Sequence, residues 1–143
     1  MKYKLLGAKS EESLNIGDYI QAVASSQFYP QIDGFIEREA LKEYDGDVCK
    51  VIMNGWYMHH PEHWPPSPQI KPLFVAFHIN SSVKDRFLKD DSLKYLKEHE
   101  PIGCRDMKTM NLLKENGVDA YFSGCMTLTL GEKYKSISKN GKI

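Results

Sequence analysis

The sequence lacks any long apolar run. No stretch of its 143 residues approaches the roughly 18–20 consecutive apolar residues that a membrane-spanning helix needs, and the apolar stretch near the N-terminus is too short for a secretory signal peptide. An excess of one charge is also absent, because 19 basic and 19 acidic residues cancel. We therefore expect a cytoplasmic protein that has no membrane span and does not bind nucleic acid.

Cysteines are few, and cofactor motifs are missing. Cys49, Cys104 and Cys125 form no Cys-x-x-Cys pair, which argues against a disulfide framework or a zinc knuckle and favours buried or pocket-lining thiols. The segment His-His-Pro-Glu-His at residues 59–63 lacks the helical histidine pair of a common zinc motif, so we favour a solvated loop over a metal site. Neither a Gly-x-Gly-x-x-Gly turn nor a P-loop occurs. We predict no metal and no cofactor.

Short apolar segments alternate with helical patterns along the chain. The strand-like segments are residues 3–7, 32–36, 48–53, 73–79, 101–104 and 118–122. The clearest helical patterns are residues 19–25, 92–99 and 107–116, with Asp91 or Ser92 as the cap of the second. This alternation predicts a single α/β domain over residues 1–143, with a Rossmann-like, mainly parallel sheet flanked by helices.

Polar residues, glycines and aromatics follow the predicted strands, where ligands bind in open α/β sheets. A second candidate feature is the loop at residues 15–18, because it opens the first helix and places backbone N–H groups at the helix mouth. We leave catalytic residues unassigned. The predicted ligand-binding residues are Asn15, Gly17, Asp18, Asn54, Gly55, Trp56, His78, Arg105, Ser123, Gly124 and Cys125.

Two interpretations stay open for the charged candidates. The loop of Asn15, Gly17 and Asp18 either faces an anion or a sugar, or simply caps the first helix. Asp18 would repel a phosphate and therefore suits a sugar hydroxyl better. Arg105 either binds a carboxylate or phosphate through its fork of N–H donors or pairs with Asp106. For Asp106 we favour a structural role as the cap of the next helix.

The remaining candidates also have structural alternatives. His78 follows an apolar strand and could act as a general base, although a hydrogen-bonded core histidine is more common. Cys125 has no base partner that the sequence identifies, so we favour a buried small residue over a nucleophile. Trp56, Tyr57 and Trp64 could stack on a sugar ring, but packing is the more frequent role of such aromatics.

Three segments together point to a family. They are Asn-Ile-Gly-Asp-Tyr-Ile-Gln-Ala at residues 15–22, Val-Ile-Met-Asn-Gly-Trp-Tyr at 51–57, and Pro-Ile-Gly-Cys-Arg-Asp at 101–106 with Gly-Val-Asp-Ala-Tyr-Phe-Ser-Gly-Cys at 117–125. In order and spacing, residues 13–130 resemble the first domain of the polysaccharide pyruvyl transferase family. The resemblance implies one half of a glycosyltransferase-B-like fold, in which the active site lies between two Rossmann-like domains.

Enzymes of this family transfer a pyruvyl group from phosphoenolpyruvate to sugar hydroxyls, so the resemblance implies a role in exopolysaccharide biosynthesis. The family's phosphoenolpyruvate-binding arginines and catalytic histidine belong to the second domain, and no residue of this chain is assigned to those roles. We therefore expect an incomplete catalyst that binds a sugar or a phosphoenolpyruvate-like ligand. The alternative is a non-catalytic, stand-alone domain that binds a sugar or a phosphorylated metabolite, with a homodimer rebuilding the cleft.

Overall fold

The computed structural model describes residues 1–7, 15–56 and 60–134. The strands in these ranges are β1 (Lys2–Tyr3), β2 (Leu5–Gly7), β3 (Phe35–Glu37), β4 (Cys49–Ile52), β5 (Gly55–Trp56), β6 (Ile70–Leu73), β7 (Phe77–His78), β8 (Ile102–Cys104) and β9 (Ala120–Phe122). The α-helices are α1 (Ile16–Ser26), α2 (Lys84–Phe87), α3 (Asp90–Glu98), α4 (Met107–Glu115) and α5 (Leu130–Lys133). Among the helices of the described residues, none is long and apolar enough to cross a membrane.

The described strands form three sheets, in the orders β1-β4-β6, β2-β3 and β5-β7-β8-β9. Every strand pairing in them is parallel. Parallel pairs need crossover connections, which explains why α3 precedes β8 and α4 precedes β9. The predicted α/β class, with mainly parallel, Rossmann-like sheets flanked by helices, is confirmed. Parallel pairing also brings the carboxyl ends of β5, β7, β8 and β9 to one edge.

The main core joins the sheets to the inner faces of α2, α3 and α4. Phe87, Leu96 and Leu113 are the fully buried residues that these three helices contribute. Trp64 lies in the same cluster, with its ring centroid 4.7 Å from that of Phe87. An aromatic residue of this kind buries roughly 150–250 Å², so it contributes strongly to the core. Packing is therefore the role of Trp64, whereas Tyr57 lies outside the described residues.

The predicted strand at residues 73–79 is wrong as a single element. It is divided between the end of β6 and β7, and β6 already begins at Ile70. β6 belongs to the first sheet and β7 to the third, so the chain changes sheets between them. Ala76 makes this change with a left-handed φ of 57° while it is fully buried. An unbroken run of apolar residues does not reveal such a change, because the apolar pattern does not show which distant strand each part of the run pairs with.

Two other boundaries differ for related reasons. The predicted strand at residues 3–7 is split at Lys4, because β1 pairs with β4 whereas β2 pairs with β3. The helix α3 begins at Asp90 and has Lys89 as its N-cap, without a side-chain hydrogen bond. Asp91 and Ser92, the predicted caps, thus lie inside the first turn. The negative charge of Asp91 there still interacts favourably with the positive end of the helix dipole.

Candidate functional site

A pocket of about 250 Å³ lies where the start of α1 meets the carboxyl ends of β2, β5 and β8. Seven of the eleven predicted ligand-binding residues are part of its lining. The other four, namely His78, Ser123, Gly124 and Cys125, lie outside the lining. The lining residues are Leu6, Gly7, Asn15, Gly17, Asp18, Gln21, Ala22, Arg38, Asn54, Gly55, Trp56 and Arg105.

The N-terminus of α1 forms one wall of the pocket. Asn15 is the N-cap, and its Oδ1 accepts a hydrogen bond from the Gly17 backbone N–H at 3.0 Å. The Asp18 N–H bonds to the Asn15 carbonyl oxygen, also at 3.0 Å. A helix start has unpaired N–H groups that could bind an anion. Here two of them are used within the loop itself, so the positive charge of the pocket comes mainly from side chains.

Arg38 neutralises the acidic residue of this wall. Its Nη1 lies 2.7 Å from the Asp18 Oδ1, and the Arg38 side chain is only 10% exposed. The Arg38 Nε also lies 3.4 Å from Glu39 Oε1. The expectation that Asp18 repels a phosphate assumed an isolated carboxylate, and the Asp18–Arg38 ion pair offsets that repulsion. Sequence reasoning missed Arg38, because nothing in the local pattern pairs it with a residue twenty positions earlier.

Arg105 supplies an unpaired cation to the pocket. It follows β8 directly, and its backbone N–H bonds to the Phe77 carbonyl oxygen at 2.9 Å. The predicted alternative, an ion pair with Asp106, does not form, because Asp106 bonds to other groups. Among the described residues, no carboxylate lies within ion-pairing distance of the Arg105 guanidinium. The half-buried guanidinium is therefore available to an anionic ligand.

The Asn-Gly-Trp turn forms the wall opposite α1. Asn54 is buried, and its Nδ2 donates a hydrogen bond of 2.9 Å to the Gln21 backbone carbonyl, which ties the turn to α1. Gly55 has a φ of 143°, a conformation that strongly favours glycine. Trp56 is half-buried, packs against the main core and is part of the pocket lining. A half-buried aromatic beside fixed polar groups can contact a sugar ring or an apolar part of a ligand.

His78 belongs to a structural network beside the pocket. Its Nδ1 lies 2.6 Å from Asp106 Oδ2. Asp106 is the N-cap of α4, since its Oδ1 accepts a hydrogen bond from the Thr109 N–H at 2.9 Å. Burial raises the pKa of the Asp106 carboxyl, but the hydrogen bonds from Thr109 and His78 lower it more, so the net pKa is below its usual value. The helix cap is confirmed for Asp106, and His78 orients this cap from outside the lining.

Ser123 and Gly124 also have structural roles. Ser123 Oγ accepts a hydrogen bond from the Ala76 N–H at 3.0 Å and donates one to the Cys104 carbonyl oxygen at 3.1 Å. The hydroxyl therefore supports the left-handed residue at which the chain changes sheets. Gly124 has a left-handed φ of 72° in the turn after β9. Both residues shape the sheet edge and do not line the pocket.

Cys125 lies behind the pocket wall. Its Sγ accepts a hydrogen bond from Gln21 Nε2 at 3.2 Å and lies 3.0 Å from Thr127 Oγ1. Burial raises the pKa of this thiol, but the bonds from Thr127 and Gln21 and the positive charge of Arg105 outweigh it, so the net pKa is lowered. Gln21 connects the thiol to the pocket, and its Oε1 has no partner among the described residues.

The histidine-rich segment is held by hydrogen bonds. His60 Nδ1 lies 3.1 Å from Glu62 Oε1, and His63 Nδ1 lies 2.7 Å from the Glu39 carbonyl oxygen. Within the described part of the chain, no group of three or more histidine, cysteine, aspartate or glutamate residues could hold a metal ion. His59 lies outside the described residues.

The family model described as polysaccharide pyruvyl transferase matches residues 15–142. The match begins at the N-cap of α1 and includes every residue of the pocket lining except the two from β2. No curated protein and no solved structure gives a significant match. Because the family model covers most of the chain, and the parallel α/β fold agrees with it, the chain belongs to the polysaccharide pyruvyl transferase family.

Proposed function

We propose that the pocket binds phosphoenolpyruvate, and that the chain takes part in transferring the pyruvyl group of this metabolite to a sugar of a surface polysaccharide. The observation that carries the proposal is the Arg105 guanidinium, which lines the pocket without a carboxylate partner among the described residues. A guanidinium offers two parallel N–H donors to a carboxylate or a phosphate, and phosphoenolpyruvate has both groups. The resemblance assigns further arginines to a second domain, and Arg105 would add a cation from the first.

The other lining residues suit the same ligand. The charged lining residues are Asp18, Arg38 and Arg105, which together have one net positive charge, and Glu39 next to the lining shares the Arg38 guanidinium with Asp18. The Trp56 ring offers a surface to the apolar vinyl group or to an acceptor sugar. Electrostatic attraction in a partly desolvated pocket is stronger than in water, because the local dielectric constant is lower. These features support an anion-binding pocket of small-molecule size.

Transfer needs a proton donor as well as an anion site. A sugar hydroxyl adds to the central carbon of phosphoenolpyruvate while a proton is delivered to its CH₂ carbon. Phosphate then leaves, and a second hydroxyl closes the ketal. Cationic groups stabilise the departing phosphate, and a general acid supplies the proton. Asp18 is the one carboxyl group among the described lining residues, and it is engaged with Arg38.

We therefore propose that this chain supplies binding and positive charge, and that the general acid lies outside the lining. In this proposal, residues 1–143 form a single α/β domain equivalent to the first domain of the family's two-domain arrangement. The second candidate function is a non-catalytic domain that binds phosphoenolpyruvate or a phosphorylated sugar. The same observation favours it, because an anion site whose described lining has no free proton donor can bind the ligand without completing the transfer.

Calorimetric titration with phosphoenolpyruvate, followed by incubation with glycan acceptors, tests both functions. Binding with acceptor-dependent phosphate release, and a ketal signal in the NMR spectrum, would establish the transferase. Binding without phosphate release would establish the binding domain. Glycerol 3-phosphate is the matched control ligand, since it lacks the carboxylate and is expected to bind more weakly. Absence of phosphoenolpyruvate binding would refute the proposed ligand.

A further inference from the structure

The helix α1 turns its large apolar residues away from the protein. Ile16, Tyr19, Ile20 and Val23 have the spacing i, i+3, i+4 and i+7, which normally marks the core-facing stripe of a helix. They are 73%, 53%, 38% and 44% exposed, respectively. The helix instead buries small residues such as Ala24, which packs in a separate small cluster. We call the four exposed residues the α1 ridge.

An apolar groove lies beside the α1 ridge. It has a volume of about 430 Å³ and is lined mainly by apolar side chains of α1, β2 and β3. Phe35 stands at its outer side and is 66% exposed. Tyr19 belongs both to the ridge and to the groove lining. A ridge and a groove of similar chemistry therefore share one face of the protein.

We infer that a second copy of this chain covers this face, in a two-fold symmetric dimer. A two-fold interface pairs each surface with itself, so it needs a self-complementary face, and a ridge beside a groove is one. The ridge of one copy then enters the groove of the other, and the reverse contact follows by symmetry.

Charge favours the same occupant. Asp18 is the one charged residue in α1, and it is paired with Arg38. Glu37, the other carboxylate of the groove lining, accepts a hydrogen bond from the Glu39 N–H. The ridge itself has no charged side chain, so no like charges oppose each other when it enters the groove of the other copy, and the formal net charge of each copy is zero. Interface centres are typically depleted of charged residues and enriched in aromatics such as tyrosine, as this face is.

The exposed apolar area of this face is comparable to that of the apolar centre of a dimer interface. The exposed parts of Tyr19 and Phe35 amount to on the order of 100 Å² each, from the roughly 150–250 Å² of a whole aromatic residue. With the three aliphatic ridge residues, the apolar centre reaches on the order of 400–500 Å². That is about half of the roughly 800 Å² that each partner of a standard interface buries, and the polar rim supplies the remainder.

The interface would border the ligand pocket. Four residues line both the groove and the pocket, namely Leu6, Gly7, Asp18 and Ala22. The second copy would therefore lie against the Asp18–Arg38 ion pair. The inference rests on the apolar face alone and does not depend on which ligand the pocket binds.

Sedimentation equilibrium of the full chain, with light scattering as a second measurement, tests the dimer. We expect the wild type to dimerise at micromolar concentration and Val23→Glu to raise the dimer dissociation constant at least about 100-fold, because it brings an unpaired charge into the apolar contact between ridge and groove. Leu73→Glu is the control, since Leu73 is 58% exposed on β6 in another sheet, and it should leave the dimer intact. Far-ultraviolet circular dichroism checks that both variants fold.

A cross-linking experiment does not depend on the introduced charge. A flexible bifunctional maleimide is expected to link two copies of Val23→Cys more efficiently than two copies of Leu73→Cys, and Cys125 is present in both variants. A wild type that stays monomeric at 100 µM and above would overturn the inference. That is the result expected if another partner, or another segment of this chain, covers the face. A dimer that Val23→Glu does not weaken would place the interface elsewhere and overturn it equally.

Discussion

Replacing Arg105 by alanine is expected to weaken phosphoenolpyruvate binding strongly while leaving the fold unchanged. The guanidinium lines the pocket and has no carboxylate partner among the described residues, so a bound anion would be its principal polar contact. A hydrogen-bonded contact to a charged group contributes about 1.5–3 kcal/mol. Each 1.4 kcal/mol is about tenfold in affinity, so the dissociation constant should rise roughly 10- to 150-fold.

The effect on stability is expected to be small. The substitution breaks no ion pair among the described residues, and the backbone hydrogen bond from residue 105 to Phe77 is kept in the variant. Substitutions away from packed or paired groups change the free energy of unfolding by about 0.5 kcal/mol or less. For a chain of this size, that corresponds to a shift of the melting temperature of about 2 °C.

Calorimetric titration measures the affinity, and differential scanning calorimetry measures the melting temperature. Arg105→Lys should give an intermediate affinity, because lysine keeps the charge but loses the planar fork. Arg86→Ala is the matched control, since Arg86 is exposed, lies 3.6 Å from Glu62 and is outside the pocket. An affinity within twofold of the wild type, or a melting temperature lower by more than about 5 °C, would refute the reasoning.

Two further predictions concern the sheet and the thiol behind the pocket. Gly103→Ala should lower the free energy of unfolding, measured in urea, by about 1–3 kcal/mol, because its Cβ would lie 2.8 Å from the Phe74 carbonyl oxygen. Gly131→Ala is the control, since a Cβ there meets open space, and it should be neutral or slightly stabilising. Equal effects of the two substitutions would contradict the predicted clash at Gly103. Cys125 should react with iodoacetamide before the two fully buried cysteines, with the midpoint of its pH–rate profile below the value that free cysteine gives under the same conditions, as its lowered pKa indicates. Mass spectrometry of the labelled peptides measures this order, and equal labelling or a midpoint above that value would contradict it.

Most segments could be predicted as strand or helix from the sequence, because the local pattern of apolar and polar residues differs between the two. The segments at residues 48–53, 101–104 and 118–122 are short and mostly apolar, and β4, β8 and β9 lie within them. The segment at residues 73–79 has the same composition, yet it is divided between two sheets at Ala76. Strand propensity depends on the side chains themselves, whereas the choice of pairing partner depends on distant parts of the chain.

The site shows the same division. Seven predicted residues meet in one pocket because the carboxyl ends of parallel strands share an edge, which the alternating pattern of the sequence already implies. Arg38 was missed because its distance to Asp18 is set by the packing of α1 against β2 and β3. The place of His78 after a strand left open whether it faces a ligand or forms hydrogen bonds within the fold, and the bond to Asp106 at the cap of α4 comes from the tertiary structure.

The sequence by itself determined the α/β class, the helix cap at Asp106, the start of α1 within residues 15–18, and the positions where strands end in polar or glycine residues. These features depend on interactions between residues close in the chain, such as a side chain bonding to an amide two or three positions later. The tertiary structure alone decided that Arg105 lies in a pocket with no carboxylate partner among the described residues, and that the apolar stripe of α1 faces outward. Both depend on which distant surfaces pack together, because the same helix pattern would serve equally well against a core or against a second copy of the chain.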